Sequence, residues 1–164
     1  MLEHLYPHDK PLPTPEAGRE LAECTQNPPT GVTVKLIDDN DLHKWEIIMD
    51  GPEQSAYAGG HFTLHLTLPN NYPFKPPVLN FATKIYHPNI SNDEKGSMCL
   101  GMLRPDEWKP PNRVLAVLEL ARSLLIEPLP DDAIETSIAE QYKNKRSEWE
   151  KEARSWTKRY AGGK

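Results

Sequence analysis

The residue in this sequence most able to do chemistry is a cysteine placed among small neighbours. Cys99 lies in the segment 96–101, which reads Gly-Ser-Met-Cys-Leu-Gly. Small neighbours keep a sulfur reachable, as a thiol requires if it is to attack and then be released. The alternative is an ordinary buried thiol. The other cysteine, Cys24, is distant in the chain, so we predict no disulfide and expect Cys24 to be a core residue.

Cys99 lies within a long irregular stretch of the sequence, which also contains the segment 86–89, Tyr-His-Pro-Asn. Residues 84–111 show no clean periodicity, and a long stretch without regular elements inside a compact domain is more often functional than idle. We therefore expect the reactive site in this irregular segment.

Composition excludes several other function classes. The six histidines lack zinc-ligand spacing, so the sequence predicts no metal. No GxxxxGK[ST] phosphate loop occurs, so it predicts no ATP site either. A net charge of −5 lacks the basic excess that nucleic-acid binding needs. No apolar run approaches the length of a membrane span and no signal peptide opens the chain, so we expect no membrane association and a cytoplasmic or nuclear location. We expect a monomer.

Helix and strand patterns predict the elements that must position this site. Thr14, Pro15 and Glu16 are typical of a helix start, and the helix should end near Asn27. Apolar residues then alternate with polar ones, which indicates strands with one buried face. Short connections between the strands favour an antiparallel meander. The alternating positions are Val32, Val34 and Leu36; Trp45, Ile47 and Met49; Phe62, Leu64, Leu66 and Leu68; and a fourth strand from Val78 to Ala82.

The sequence after the irregular segment returns to helical spacing. A helix is predicted from Arg113 to Ile126, prolines at 128 and 130 interrupt it, and helical sequence resumes from Asp131 towards Tyr160. The predicted fold class is therefore α+β: an N-terminal helix, a four-stranded antiparallel meander, an irregular active-site segment and C-terminal helices. We divide the chain into a flexible arm at 1–13, one domain at 14–160 and a flexible tail at 161–164.

The motifs around the cysteine resemble those of a known family in their order along the chain. Segment 86–89 followed after a short loop by Cys99 resembles the signature of ubiquitin-conjugating enzymes. The resemblance extends over residues 14–160, and the family's fold agrees with the architecture predicted from periodicity. Further landmarks are Gly51-Pro52, Tyr57, Gly59-Gly60, Leu68-Pro69, the loop 72–77, Trp108-Lys109-Pro110 and Pro130-Asp131-Asp132.

This resemblance implies an acyl-transfer reaction. Cys99 would accept ubiquitin from an activating enzyme as a thioester and pass it to a substrate lysine with the help of a ligase of the RING or HECT type. ATP is consumed by the activating enzyme, so no cofactor is expected on this chain. A carrier of a NEDD8 or SUMO type modifier is the first alternative. A non-enzymatic variant that only binds ubiquitin is the second, and Cys99 argues against it.

The resemblance also assigns roles to two polar residues near Cys99. Asn89 would donate a hydrogen bond to the oxyanion formed when lysine attacks the thioester, and the alternative is a scaffold role for the loop. Asp132 would orient the entering lysine and favour its neutral form, although an Asp here could also cap a helix. We assign such an N-cap role to Asp131.

Three further residues of the signature are expected to support the active site. Tyr86, His87 and Pro88 would shape the loop, and the His87 ring would fix it by hydrogen bonds to the backbone. A thiolate is a good nucleophile, so exchange with an incoming thioester needs no dedicated base, and His87 need not be one.

Two loops resemble the ligase-docking loops of the family. Phe74 and Pro73 belong to the first loop, and Trp108, Lys109 and Pro110 belong to the second. Exposed apolar residues on proline-stiffened loops lose little entropy on binding, which suits an anchor. The alternative is that Phe74 and Trp108 fill the core.

The chain departs from the family pattern close to the cysteine. The loop between Asn89 and Cys99 is slightly longer than in most members, which would alter the gate beside the sulfur. Gly101 stands where many relatives place an acidic residue, so the rim of the active site should differ as well.

Overall fold

The first helix packs against the sheet as its sequence predicts. The computed structural model describes residues 14–162. Helix α1 spans Pro15–Gln26, and the Thr14 side chain accepts a hydrogen bond from the Ala17 N–H at 3.3 Å, which confirms the predicted cap. Cys24 is fully buried, as expected, and burial raises the pKa of its thiol to about 12. This cysteine is therefore a core residue with little tendency to ionise.

Four antiparallel strands follow in the order β1-β2-β3-β4, which confirms the predicted meander. Strand β1 spans Val32–Leu36, β2 Lys44–Asp50, β3 His61–Thr67 and β4 Val78–Phe81. Inward side chains are buried and alternate with outward ones, so the register is fixed by one apolar face. The aligned core positions include Ile47↔Leu64↔Phe81 and Trp45↔Leu66↔Leu79.

The chain after residue 113 is mainly helical, with one break before α3 and another between α3 and α4. Helix α2 spans Val114–Ile126 and buries an apolar face in the core. Helix α3 spans Thr136–Asn144 and α4 spans Arg146–Trp156; they are separated at Lys145 (φ −140°, ψ 59°), and a π-helical turn follows at Thr157–Ala161. Among residues 14–162, no helix is both long and apolar enough to cross a bilayer.

Two predictions for this part of the chain are wrong in detail. Asp131 does not cap a helix, because it lies inside the 3-10 turn Pro130–Asp132, and the residue before α3 is Glu135. The predicted tail also begins too early. Ala161 is buried and Gly162 pairs with Gly60, because the π-helical turn folds the chain back onto the start of β3. The predicted arm at 1–13 lies outside the described residues.

Candidate active site

Cys99 lies on a short extended segment between β4 and α2. The residue is half-buried. Its backbone N–H donates to the Asn89 carbonyl at 2.9 Å, and Ile90 forms a bridge with Met98. The neighbouring Leu100 is buried in the core, which fixes the segment from behind. The thiol is thus held in place while part of the residue stays accessible.

A single carboxylate, that of Asp93, accepts several hydrogen bonds within the loop before Cys99. Oδ1 of Asp93 accepts hydrogen bonds from the Ser91 hydroxyl at 2.8 Å, the Lys95 N–H at 2.9 Å and the Gly96 N–H at 3.2 Å. These bonds, that from Ser91 foremost, hold the pKa of Asp93 below its usual value. Ser97 N–H in turn donates to the Ser91 hydroxyl at 2.8 Å. Residues 91–97 therefore form an ordered turn before the cysteine.

Gly96 anchors this turn to the sheet. It adopts φ +57°, in the left-handed region, and its carbonyl accepts a hydrogen bond of 2.8 Å from the Phe81 N–H of β4. A Cβ atom at this position would lie 1.8 Å from the Phe81 carbonyl oxygen. Both the backbone angle and the close approach require glycine here.

His87 is completely buried and bonded to the backbone at both ring nitrogens. Nδ1 accepts from the Asn89 N–H at 2.9 Å, and Nε2 donates to the Leu124 carbonyl of α2 at 2.8 Å. Burial lowers the pKa of His87 to about 4, so the ring is neutral at neutral pH. The ring also stacks on Tyr57. This is the loop-fixing arrangement expected for His87.

The neighbouring signature residues join the active-site loop to the helices. Tyr86 donates through its hydroxyl to Gln141 of α3 at 2.6 Å, and its carbonyl accepts from the Tyr57 hydroxyl at 2.6 Å. The Pro88 carbonyl accepts from the N–H groups of Ile134 and Glu135 at 2.9 and 3.0 Å. Tyr86 and Pro88 therefore connect the active-site loop to Tyr57, to α3 and to the residues just before α3.

Asn89 is buried, and every polar atom of its amide is bonded to backbone. Nδ2 donates to the carbonyls of Leu129 at 2.8 Å and Asp132 at 3.1 Å, while Oδ1 accepts from the Leu129 N–H at 2.9 Å. This is the scaffold arrangement that the sequence left open. The oxyanion role stays a prediction, and it requires Nδ2 to exchange one of these carbonyls for the reacting oxygen.

Asn89 brings the backbone of Asp132 close to that of Cys99, and a residue that the sequence did not indicate, Arg104, also lies beside the sulfur. Asp132 is exposed, and Nη2 of Arg104 lies 3.9 Å from the Cys99 sulfur. The hydrogen bond to Cys99, more than the charge of Asp132, raises the pKa of Arg104. A turn at Gly101–Leu103 reverses the chain so that Arg104 faces back towards the sulfur. No periodicity in the sequence predicts that reversal.

The two predicted docking loops touch each other. Phe74 is 76% exposed, and Lys109 and Pro110 are exposed as well. Trp108 is buried, and its Nε1 donates to the Pro73 carbonyl at 2.8 Å. Its ring therefore fills the core, which is the alternative that the sequence left open. Trp108 therefore connects the loops from inside.

Comparisons with known proteins agree with this architecture. A family model described as ubiquitin-conjugating enzyme matches residues 16–157. Ubiquitin conjugating enzyme E2 B of Dictyostelium discoideum is 42% identical over 143 residues, covering 87% of this chain and 94% of that protein. Ubiquitin-conjugating enzyme E2 14 of Schizosaccharomyces pombe is 42% identical over 143 residues, covering 87% of this chain and 90% of that protein.

A solved structure shows the same fold. The E2 domain of a ubiquitin conjugating enzyme from Toxoplasma gondii superposes with a TM-score of 0.79 at 34% identity, covering 88% of this chain and 96% of that one. The family match covers most of the chain, and the fold, the half-buried cysteine and the supporting signature residues fall within it. The chain belongs to the ubiquitin-conjugating enzyme family, the transferases that accept ubiquitin as a cysteine thioester and pass it to lysine.

Proposed function

We propose that Cys99 is the residue that carries ubiquitin. The observation that supports this assignment is that Asn89 holds both Cys99 and Asp132: its carbonyl accepts from Cys99 and its side chain donates to Asp132. A nucleophile and an exposed carboxylate are thereby kept in one rigid frame. Cys24 offers no alternative, because it is fully buried.

In the charging step, the Cys99 thiolate attacks the carbonyl carbon of the thioester on the activating enzyme. A bond forms between that carbon and the Cys99 sulfur, and the activating enzyme's sulfur leaves as a thiolate. Thioester exchange needs no general base when the attacking thiol is ionised. The neutral, backbone-bonded His87 is consistent with this route because neither ring nitrogen is available for proton transfer.

In the discharge step, a substrate lysine attacks the thioester on Cys99. The carbon–nitrogen bond forms, the Cys99 sulfur leaves as a thiolate, and the proton of the lysine passes to water. Asp132 orients the amine and accepts its proton for release to water, which leaves the neutral, nucleophilic form; its exposed position suits an amine that arrives from solvent. Asn89 Nδ2 stabilises the oxyanion after releasing one backbone carbonyl.

Enzymes of this family work between an activating enzyme and a ligase. For this chain we assign ligase docking, of the RING or HECT type, to the exposed Phe74 and Pro110, with Pro73 and Lys109 beside them and Trp108 as support. We further propose that the protein acts as a monomer in the cytoplasm or nucleus on protein substrates. The transfer requires no cofactor on this chain, because the thioester already carries the activation that ATP supplied upstream.

The experiment that tests this proposal is a charging assay. The chain is incubated with the matching activating enzyme, ATP and ubiquitin, and in parallel reactions with a NEDD8 or SUMO type modifier. Ubiquitin should give an adduct that reductant removes. Cys99→Ala should give none, whereas the matched control Cys24→Ala should charge normally. Charging only by another modifier would overturn the choice of ubiquitin, and normal charging of Cys99→Ala would overturn the site.

A further inference from the structure

Arg104 is the only cationic residue among 14–162 that contacts the Cys99 sulfur. Its Nη2 lies 3.9 Å from Sγ. The backbone of Arg104 is held independently of its side chain: the N–H donates to Gly101 at 3.1 Å, and the carbonyl accepts from Glu107 and Trp108 at 3.0 and 2.9 Å. The guanidinium is therefore presented to the sulfur from a fixed turn.

Within residues 14–162, Arg104 has no salt-bridge partner. Two other exposed arginines have carboxylate partners within 4 Å: Arg113 pairs with Glu23, and Arg154 pairs with Glu150. None of the ion pairs between described residues includes Arg104. The carboxylates of Asp132 and Asp106 act on it from beyond salt-bridge distance. The contact that its guanidinium does make is with Cys99.

A cation beside a sulfur favours the thiolate over the thiol. The thiolate is the form of Cys99 that attacks in charging and the form that leaves in discharge. Building on the role proposed for Cys99, we propose that Arg104 is a catalytic residue that stabilises the Cys99 thiolate in both half-reactions. This distinguishes Arg104 from Asp132, whose proposed role is confined to the attack of lysine.

No atom is transferred to or from Arg104 in this scheme. In charging, its guanidinium attracts the anionic sulfur until the carbon–sulfur bond neutralises it. In discharge, the carbon–sulfur bond breaks as the carbon–nitrogen bond forms, and the guanidinium meets the negative charge that returns to the sulfur. Arg104 keeps its proton throughout, because a guanidinium does not ionise near neutral pH.

The test is the pH dependence of alkylation of Cys99 by iodoacetamide, which needs neither ubiquitin nor an activating enzyme. The full chain and Arg104→Gln are compared from pH 6 to 11 by intact mass, with Cys99 confirmed as the modified site by peptide mapping. A unit charge about 4 Å away in a water-like medium alters the thiolate population by about fivefold. Because a less basic thiolate is also less nucleophilic, the net slowing in Arg104→Gln near neutral pH should be about twofold.

Two features of the profile separate an electrostatic role from a structural one. The slowing in Arg104→Gln should be confined to the low-pH end of the range, and at the high-pH end the variant should react at least as fast as the parent. Arg104→Lys, which keeps the charge, should return the low-pH rate towards the parent value. Arg154→Gln, which removes an equal charge from α4, should leave the profile unchanged, and thermal melting verifies that each variant is folded.

The same variant should slow both charging and lysine discharge in ubiquitin assays. An alkylation profile of Arg104→Gln identical to that of the parent would overturn the role of Arg104, while leaving Cys99 as the carrier. Failure of Cys99→Ala to lose charging would instead overturn the carrier assignment. The two failures are therefore distinguishable.

Discussion

The side-chain amide of Asn89 donates a hydrogen bond of 3.1 Å to the backbone carbonyl of Asp132. The backbone carbonyl of Asn89 accepts the N–H of Cys99 on its other side. One buried residue thus fixes the relative position of the proposed nucleophile and the proposed lysine-orienting acid, which belong to segments well separated in the sequence.

Replacing Asn89 should lower both stability and discharge. Asn89→Ala removes three buried hydrogen bonds to Leu129 and Asp132, so we expect a loss of about 2–4 kcal/mol in the free energy of unfolding, measured with urea. Charging of the folded variant should persist while discharge to free lysine slows by about 10²–10³-fold. Asn144→Ala, which removes an exposed amide from α3, is the stability control. Equal damage to charging and discharge would reject the oxyanion role.

Replacing Asp132 should affect discharge alone. We expect Asp132→Ala to charge normally and to discharge to lysine about 10–100-fold more slowly, with partial recovery at higher pH as the amine loses its proton. Single-turnover discharge after removal of ATP measures this directly. Asp131→Ala is the matched control, since Asp131 occupies the same turn but pairs with Lys143. Normal discharge by Asp132→Ala would refute the assignment.

The buried His87 should make folding sensitive to acid. Its pKa is lowered by burial from 6.5 to about 4, so between these values the unfolded chain binds a proton that the folded chain does not. Stability from this residue is therefore complete above about pH 6.5 and falls as the pH drops towards 4, by about 3 kcal/mol in total. Urea unfolding across this range, in the parent and in His87→Gln, measures the contribution. A variant with the same pH slope as the parent would contradict it.

Glycine at position 96 should be required for the turn before Cys99. Gly96→Ala places a methyl group against the Phe81 carbonyl in a left-handed conformation, so we expect destabilisation of at least about 2 kcal/mol. Gly101→Ala is the control: its Cβ would have open space, and its stability should change by less than about 0.5 kcal/mol. Similar unfolding midpoints for the two variants would show that the turn can rearrange.

Alanine substitutions at the two aromatic residues of the docking loops should separate an effect on ligase binding from an effect on folding. Phe74 is mostly exposed, so Phe74→Ala should leave stability within about 0.5 kcal/mol of the parent and remove most of the ligase-stimulated discharge. Trp108 is buried, so Trp108→Ala should cost about 3–5 kcal/mol in unfolding free energy. Each variant is titrated with a cognate ligase domain, and the stimulation of lysine discharge is measured. Undiminished ligase stimulation of Phe74→Ala would move the docking site elsewhere.

Sequence pattern predicted the elements well because each has a local physical cause. Thr14 caps α1, alternating side chains define the strands, and apolar spacing defines α2. The break at Lys145 between α3 and α4 has no proline or glycine to announce it. Local helix preference therefore does not predict it.

The candidate active-site residues come from resemblance, and the sequence does not predict the hydrogen bonds that hold them. Resemblance identified Asn89, whereas the engagement of its amide with Leu129 and Asp132 depends on a fold that brings residues 40 or more positions apart together. Arg104 was not identified because its approach to Cys99 depends on a turn without a sequence signal. Contacts of this kind follow from topology, which local patterns do not encode.

The hydrogen bond from the Trp108 indole connects the Phe74 loop to the turn beside Cys99. Trp108 holds Pro73 through its side chain, and its backbone N–H is bonded to the carbonyl of Arg104. A ligase docked on the Phe74 loop, as proposed above, would bind a segment that is hydrogen-bonded through Trp108 to the backbone of Arg104, whose guanidinium contacts the sulfur. We expect ligase binding and the position of this guanidinium to be coupled without any contact between the ligase and the thioester.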